Sequence, residues 1–262
     1  LTLSGLDRAQ LQRLLDNASS RQIDRVLEET RGNPLFALAV GRMLAEPAFQ
    51  SAETSLEEGG VPLSLRQAIG QRVDALSERT QRVLSTGSIF ADAFDVSTLA
   101  ALLDLPEDLV IEALDEATVQ GFVQAGHGLD EFVFAHAIVR HAVLANWQSS
   151  RLVRERRRIA EHLVATTRGD RAGEIAALFH LSRSVPGAAA GVPYALEAAD
   201  DARAAGSHEQ TAAFLQMALD LSEPDDPRRD EILRGLALAQ AESLQIEPAI
   251  ATAWQAIEVM EA

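Results

Sequence analysis

Only one short stretch of this sequence reads as β-structure, and the residues on both sides of it read as helix. Gly121-Phe122-Val123 and Glu131-Phe132-Val133-Phe134 flank Gly126-His127-Gly128, so aromatic and β-branched residues bracket a glycine turn, the pattern of a short hairpin. Before it, apolar residues recur with helical spacing. Leu65, Ile69, Val73 and Leu76 fall on one face, and Ser77 stands as an N-cap before a helix carrying Val83, Leu84 and Phe90. Leu99, Leu102 and Leu103 mark a short helix ahead of Pro106, and Leu109, Ala113, Leu114 and Ala117 give the next helix an inward face. Three helices closed by a small hairpin are the layout of a winged helix. The fold class expected is therefore mostly α: a small helical domain, a winged helix with a short β-hairpin, then helical repeats of tetratricopeptide (TPR) type.

The rest of the chain supports that order. Residues 1–46 read as a small helical domain, with Leu11, Leu14 and Leu15 on one helix and Ile23, Val26 and Leu27 on the next. Residues 47–60 are polar, acidic and end in Gly59-Gly60, the composition of a linker. The winged helix is expected over 61–148 and the repeats over 149–262. In the latter, Glu209, Ala212, Ala213, Ala218 and Leu219 reappear 38 residues later as Glu247, Ile250, Ala251, Ala256 and Ile257, within the range of helical-hairpin repeats. The chain opens at Leu1 and closes on a helical pattern, and it reads as a piece of a longer polypeptide.

Composition removes several kinds of chemistry. There is no Cys, hence no disulfide framework and no thiolate zinc site. All 23 basic residues are Arg; with no Lys, neither a P-loop nor Schiff-base catalysis can reside in this stretch. A net charge of −16 opposes broad binding to nucleic acid or anionic membrane, and no apolar run is long enough to span a bilayer. His136 and His141 miss the i, i+4 spacing of a zinc helix. No catalytic constellation and no metal site is expected: the chain is read as cytoplasmic, regulatory and not an enzyme.

Two segments carry candidate binding chemistry. In Glu29-Thr30-Arg31-Gly32-Asn33-Pro34-Leu35-Phe36, Gly allows unusual backbone geometry and Pro presets the next helix, which also describes an ordinary turn between helices. In Phe134-Ala135-His136-Ala137-Ile138-Val139-Arg140, a strand passes into a helix, and an imidazole there can meet a phosphate at the helix N-terminus or merely satisfy local backbone groups. A third signal, the run Arg151, Arg154, Arg156, Arg157 and Arg158, relieved by Glu155, is either a nucleic-acid patch, a solvated helix face or a set of interdomain ion pairs. The candidate recognition helix of the winged helix carries Glu107, Asp108, Glu112, Asp115 and Glu116 and no Arg, which excludes direct DNA reading by this module.

In their order and separation these segments resemble the STAND nucleotide-switch ATPases, above all the large LuxR-type bacterial transcriptional regulators. Thr30, Gly32, Asn33, Pro34, Leu35 and Phe36 match that group's T-x-G-N-P-L-F segment. Phe134, His136 and Arg140 match the F-x-H-x-x-x-R that closes its winged helix, and Leu65-Arg66-Gln67-Ala68-Ile69 with Arg72 and Leu76 resembles the start of that domain. The resemblance implies ATP or ADP held in the full-length protein, with Gly32 and Asn33 shaping a turn, Pro34 near adenine, and His136 at the β-phosphate with Arg140 beside it. It also implies a P-loop domain as partner in the same chain, an effector or protein on the repeats, and nucleotide-dependent oligomers. Two rival readings stay open: an interaction scaffold with vestigial nucleotide positions, and the regulatory arm of a nucleotide cyclase.

Overall fold

The structure, a computed structural model, describes residues 6–15, helical positions 20, 23, 24, 27 and 37, residues 63–166 except 129, and residues 171–261. The linker expected at 47–60 and the turn Gly32-Asn33-Pro34 lie outside the described residues. The protein is mostly helical with one small antiparallel sheet, and it divides into two compact units, residues 1–147 and 148–262.

In the first unit, helix α1 (Arg8–Leu14) opens on a capping box: the Asp7 carboxylate accepts from Gln10 N and the Gln10 side chain accepts from Asp7 N. Leu11 and Leu15 are buried, whereas Leu14, expected to join them, is exposed.

The region after residue 62 builds the winged helix. Its elements are α2 (Leu63–Asp74), α3 (Glu78–Gly87), β1 (Ala93–Asp95), α4 (Val96–Leu103), α5 (Glu107–Val119), β2 (Val123–Ala125), β3 (Glu131–Phe134) and α6 (Ala137–Leu144). Ser77 caps α3 by accepting from Thr80 N, and Asp95 ends β1 by accepting from Thr98 N at 2.7 Å, turning strand directly into helix. The hairpin gains a third strand that the sequence did not announce. The order is β1-β3-β2, all antiparallel, with Phe94 opposite Phe132 and Val123 opposite Phe134. A strand of three residues with one buried side chain shows no alternation to read, which is why β1 escaped notice.

The core of this unit is where α3, α4 and α5 meet the sheet. Phe94 sits between Phe90 and Phe134, with ring centroids 6.3 and 5.8 Å apart. Val83, Leu84, Leu99, Val110, Ala113, Leu114 and Ala117 complete it. The innermost phase of α5 thus starts at Val110; Leu109 is only partly buried. Phe90 belongs to this core, but it lies in a turn beyond α3 instead of on the helix expected to carry it.

The second unit runs α7 (Ser149–Thr166), α8 (Ala172–Leu181), a 3-10 turn (Ala188–Gly191), α9 (Val192–Ala204), α10 (His208–Leu221), α11 (Arg229–Glu242) and α12 (Ile246–Glu261). Each helix packs on the next, as repeats of helix pairs do. The contact surfaces are built largely of Ala (195, 198, 199, 202, 212, 218 and 239), whose small side chains let helices approach closely. The 38-residue repeat is visible in the backbone. α9 ends on Gly206 at φ +72°, with Ser207 N donating back to Ala202 O, and α11 ends 38 residues later on Leu244 at φ +62°, with Gln245 N donating to Gln240 O.

Candidate functional site

The junction from β3 to α6 places His136 and Arg140 one helical turn apart with opposite fates. His136 is the N-cap of α6, exposed, and its side chain makes no capping bond. As the N-cap, the residue sits at the helix end whose first backbone N–H groups have no partner within the helix, a position compatible with an anion. Arg140 turns inward. Its Nη1 donates to Ser88 O at 3.3 Å and Phe90 O at 3.1 Å, tying α6 to the end of α3. Burial draws the Arg140 guanidinium below the ordinary arginine value, with Asp92 opposing the shift. Arg140 Nη2 also lies 3.0 Å from His141 Nε2. The guanidinium can only donate, so His141 accepts as the neutral ring; burial, and then the Arg140 charge, push its pKa down accordingly.

The sequence did not announce that Arg140 and Arg72 act on backbone carbonyls. Like Arg140, Arg72 donates to Gln120 O at 2.7 Å, where α5 ends, while its guanidinium lies 5.1 Å from the Phe122 ring centre. Both close gaps left by helix C-termini. The signal available in the sequence was only the surplus of Arg in a chain without Lys.

The acidic face of α5 is exposed at Glu107, Asp108, Glu112 and Asp115. Glu112 pairs with Arg79 at 2.9 Å. Glu116 accepts from Thr80 Oγ1 and from the hydroxyl and backbone N–H of Ser77, which hold its carboxyl below the usual range and lock α5 to the start of α3. A face of carboxylates, one of them used as a clasp, is the reverse of a phosphate-binding surface.

The arginine run on α7 does not form one cationic face. Arg157 is buried, stacks 4.9 Å from the Phe179 ring centre, and donates to the carbonyls of Ser182, Val185 and Pro186 beyond α8. Arg158 pairs with Glu155 on its own helix. Arg151, Arg154 and Arg158 are exposed, so the run is not a single solvated face: its buried member, Arg157, is a structural tie.

In the second unit a cleft of about 420 Å³ lies over α9, α10 and α11, with Leu196, Leu215 and Ile232 among its apolar walls and Arg203 and Arg234 among its charged residues. Arg203 pairs with Asp200 and Arg234 with Asp230 along their own helices. Among the described residues no group of three or more His, Asp or Glu is placed to hold a metal ion, and no helix is long and apolar enough to cross a membrane.

No known family profile and no curated protein matches the sequence. Among solved structures the chain is similar to a Signal Transduction ATPase with Numerous Domains (STAND) protein with a tetratricopeptide repeat sensor from Pyrococcus horikoshii. The likeness has a TM-score of 0.39 and 16% identity, and it covers 99% of this chain and 42% of that one. This chain therefore spans about two fifths of that protein's length.

Proposed function

We propose that this chain is the regulatory portion of a nucleotide-switched signalling protein of STAND type, coupling an effector on its helical repeats to opening of an ATP- or ADP-binding core. Within that class we favour the LuxR-type transcriptional regulators, on the motif order Gly32-Asn33-Pro34, Phe134, His136, Arg140. The observation that carries the reading is His136: a solvent-facing imidazole at the first turn of α6, bonded to no backbone group as a cap. A structural histidine is expected to be tied down; one left open beside helix N–H groups suits the β-phosphate of ADP. Pro34 would lie near adenine, with Gly32 and Asn33 shaping the turn. The acidic α5 supports a winged helix used for packing against a nucleotide domain, with any DNA reading left to another part of the protein.

In this reading the chain has no catalytic centre of its own, and the P-loop domain of a longer cytoplasmic polypeptide supplies the phosphate cradle and a weak ATPase activity. ADP holds the closed state, and the effector favours opening, exchange and oligomerisation by binding the two states unequally. Calorimetry is the test. The 262-residue chain, which has no Lys, is expected to show no micromolar ATP or ADP affinity, while a protein that joins it to its P-loop domain retains ADP. Micromolar ATP binding by the chain alone would overturn the reading. One observation favours the interaction-scaffold alternative: Arg140, the other motif residue in the junction, is already committed to carbonyls of its own domain. On that alternative neither protein holds nucleotide.

A further inference from the structure

The cleft of the repeat unit leaves one charge unmatched. Its two long walls are helix faces: α9 presents Leu196, Asp200 and Arg203 at i, i+4 and i+7, and α11 presents Glu231, Ile232 and Gly235. Between them α10 contributes Leu215, only 4% exposed, as the floor. His208 Nδ1 at the start of α10 is 2.9 Å from Glu242 Oε2 at the end of α11, and Arg229 Nη1 at the start of α11 donates to Leu219 O near the end of α10 at 3.2 Å. α10 therefore runs antiparallel to α11. It also runs antiparallel to α9 across the turn at Gly206, so α9 and α11 are parallel. Arg203 Nη2 would lie 3.9 Å from a Cβ on Gly235. One turn earlier on each helix, Asp200 and Glu231 thus stand at the same level of the cleft.

Each guanidinium of the lining already has a carboxylate. Arg203 pairs with Asp200 at 2.6 Å, Arg228 with Asp226 at 2.7 Å and Arg234 with Asp230 at 2.8 Å. Glu231 is exposed and, among the described residues, makes no hydrogen bond or ion pair. The cleft therefore carries one uncompensated negative charge, in a chain whose net charge is −16. An anion entering it would have to displace a carboxylate from one of the three pairs, whereas a cation needs no such exchange. The described residues offer no group of three or more His, Asp or Glu for a metal ion. None of the residues lining the cleft is aromatic, so it lacks the ring faces that hold a quaternary ammonium. What it does offer is a carboxylate acceptor above the aliphatic side chains of Leu196, Leu215 and Ile232.

We infer that this cleft binds a primary aliphatic amine, its ammonium donating to Glu231 beside the Asp200–Arg203 pair and its alkyl chain lying on Leu196, Leu215 and Ile232. A volume of about 420 Å³ has the size of a small-molecule site. A lysine side chain presents the same ammonium on the same kind of stem, so the test separates a free amine from a peptide. Taking this amine as the effector rests on the proposed nucleotide switch. The binding itself does not: it is measured on this chain without nucleotide, so failure of either reading leaves the other standing.

Calorimetric titration of the full chain with n-hexylammonium chloride is expected to give a saturable isotherm. n-Butylammonium, two methylenes shorter, is expected to bind roughly tenfold more weakly. Glu231→Gln is expected to weaken hexylammonium by roughly tenfold or more, as loss of a charged acceptor requires. Glu209→Gln, which removes an exposed carboxylate of α10 outside the cleft, is expected to leave binding unchanged, and melting curves check that both variants fold. Hexanoate is expected not to bind because of its charge, and hexyltrimethylammonium because it has no N–H to donate. Lysine blocked at both ends distinguishes the sources: binding at least as tight as that of butylammonium assigns the site to a peptide's lysine, and weaker binding assigns it to a free amine. Absence of saturable hexylammonium binding, equal binding of hexanoate or of hexyltrimethylammonium, or equal effects of the two Glu substitutions would overturn the proposal.

Discussion

Leu244 occupies a backbone conformation that costs an L-residue roughly 1–2 kcal/mol, a cost glycine does not carry. At φ +62° and 83% exposed it makes the same helix stop that Gly206 makes at the equivalent position of the preceding repeat. Leu244→Gly is therefore expected to stabilise the protein by about 0.5–1 kcal/mol, after allowing for the extra unfolded-state freedom of glycine. Chemical denaturation checks this, and an unchanged or lowered midpoint would count against the strain. Arg157 is the opposite case. It is buried and satisfies three carbonyls beyond α8, so Arg157→Met is expected to lose about 3 kcal/mol by leaving buried acceptors unpaired. Arg157→Lys should recover little, because an ammonium lacks the planar fork that reaches several oxygens at once.

Between elements, the joint from α10 to α11 is held by charge. Arg228 bonds Asp226 through its side chain and backbone N–H, and that holds the Asp226 carboxyl down at about 2. A carboxyl whose pKa is lower folded than unfolded contributes stability above its unfolded value, and that contribution is lost as pH falls through the folded value. The window is therefore from about 4 down to about 2. Asp226→Asn is expected to lower stability at neutral pH and to flatten the acid limb of an unfolding-versus-pH curve within that window. A limb as steep as the native one would show that the pair does not contribute.

The elements also show what could be read from the sequence. Helical periodicity, the Ser77 cap and the glycine-turned hairpin marked most of the winged helix, because each is a local signal. β1 was not legible: it exists only because β3 offers it an edge, and Phe94 packs between two other rings. The site was legible in part. His136 falls at the helix start that the sequence implied, but nothing local distinguishes an arginine destined for solvent from Arg140 or Arg157, whose carbonyl partners lie some 25 to 52 residues away.

At the scale of the whole molecule, the proposed nucleotide switch turns on His136 as the contact this chain would give to ADP. A hydrogen bond to a charged group is worth about 1.5–3 kcal/mol, which corresponds to roughly a ten- to hundred-fold change in an equilibrium. The decisive measurement is the rate of ADP release, taken together with the melting temperature, for His136→Ala in a protein that joins this chain to its P-loop domain. Release is expected to be faster by about one to two orders of magnitude at an unchanged melting temperature, since the exposed His136 side chain caps nothing. An unchanged release rate in a well-folded variant would contradict it and remove His136 from the nucleotide site.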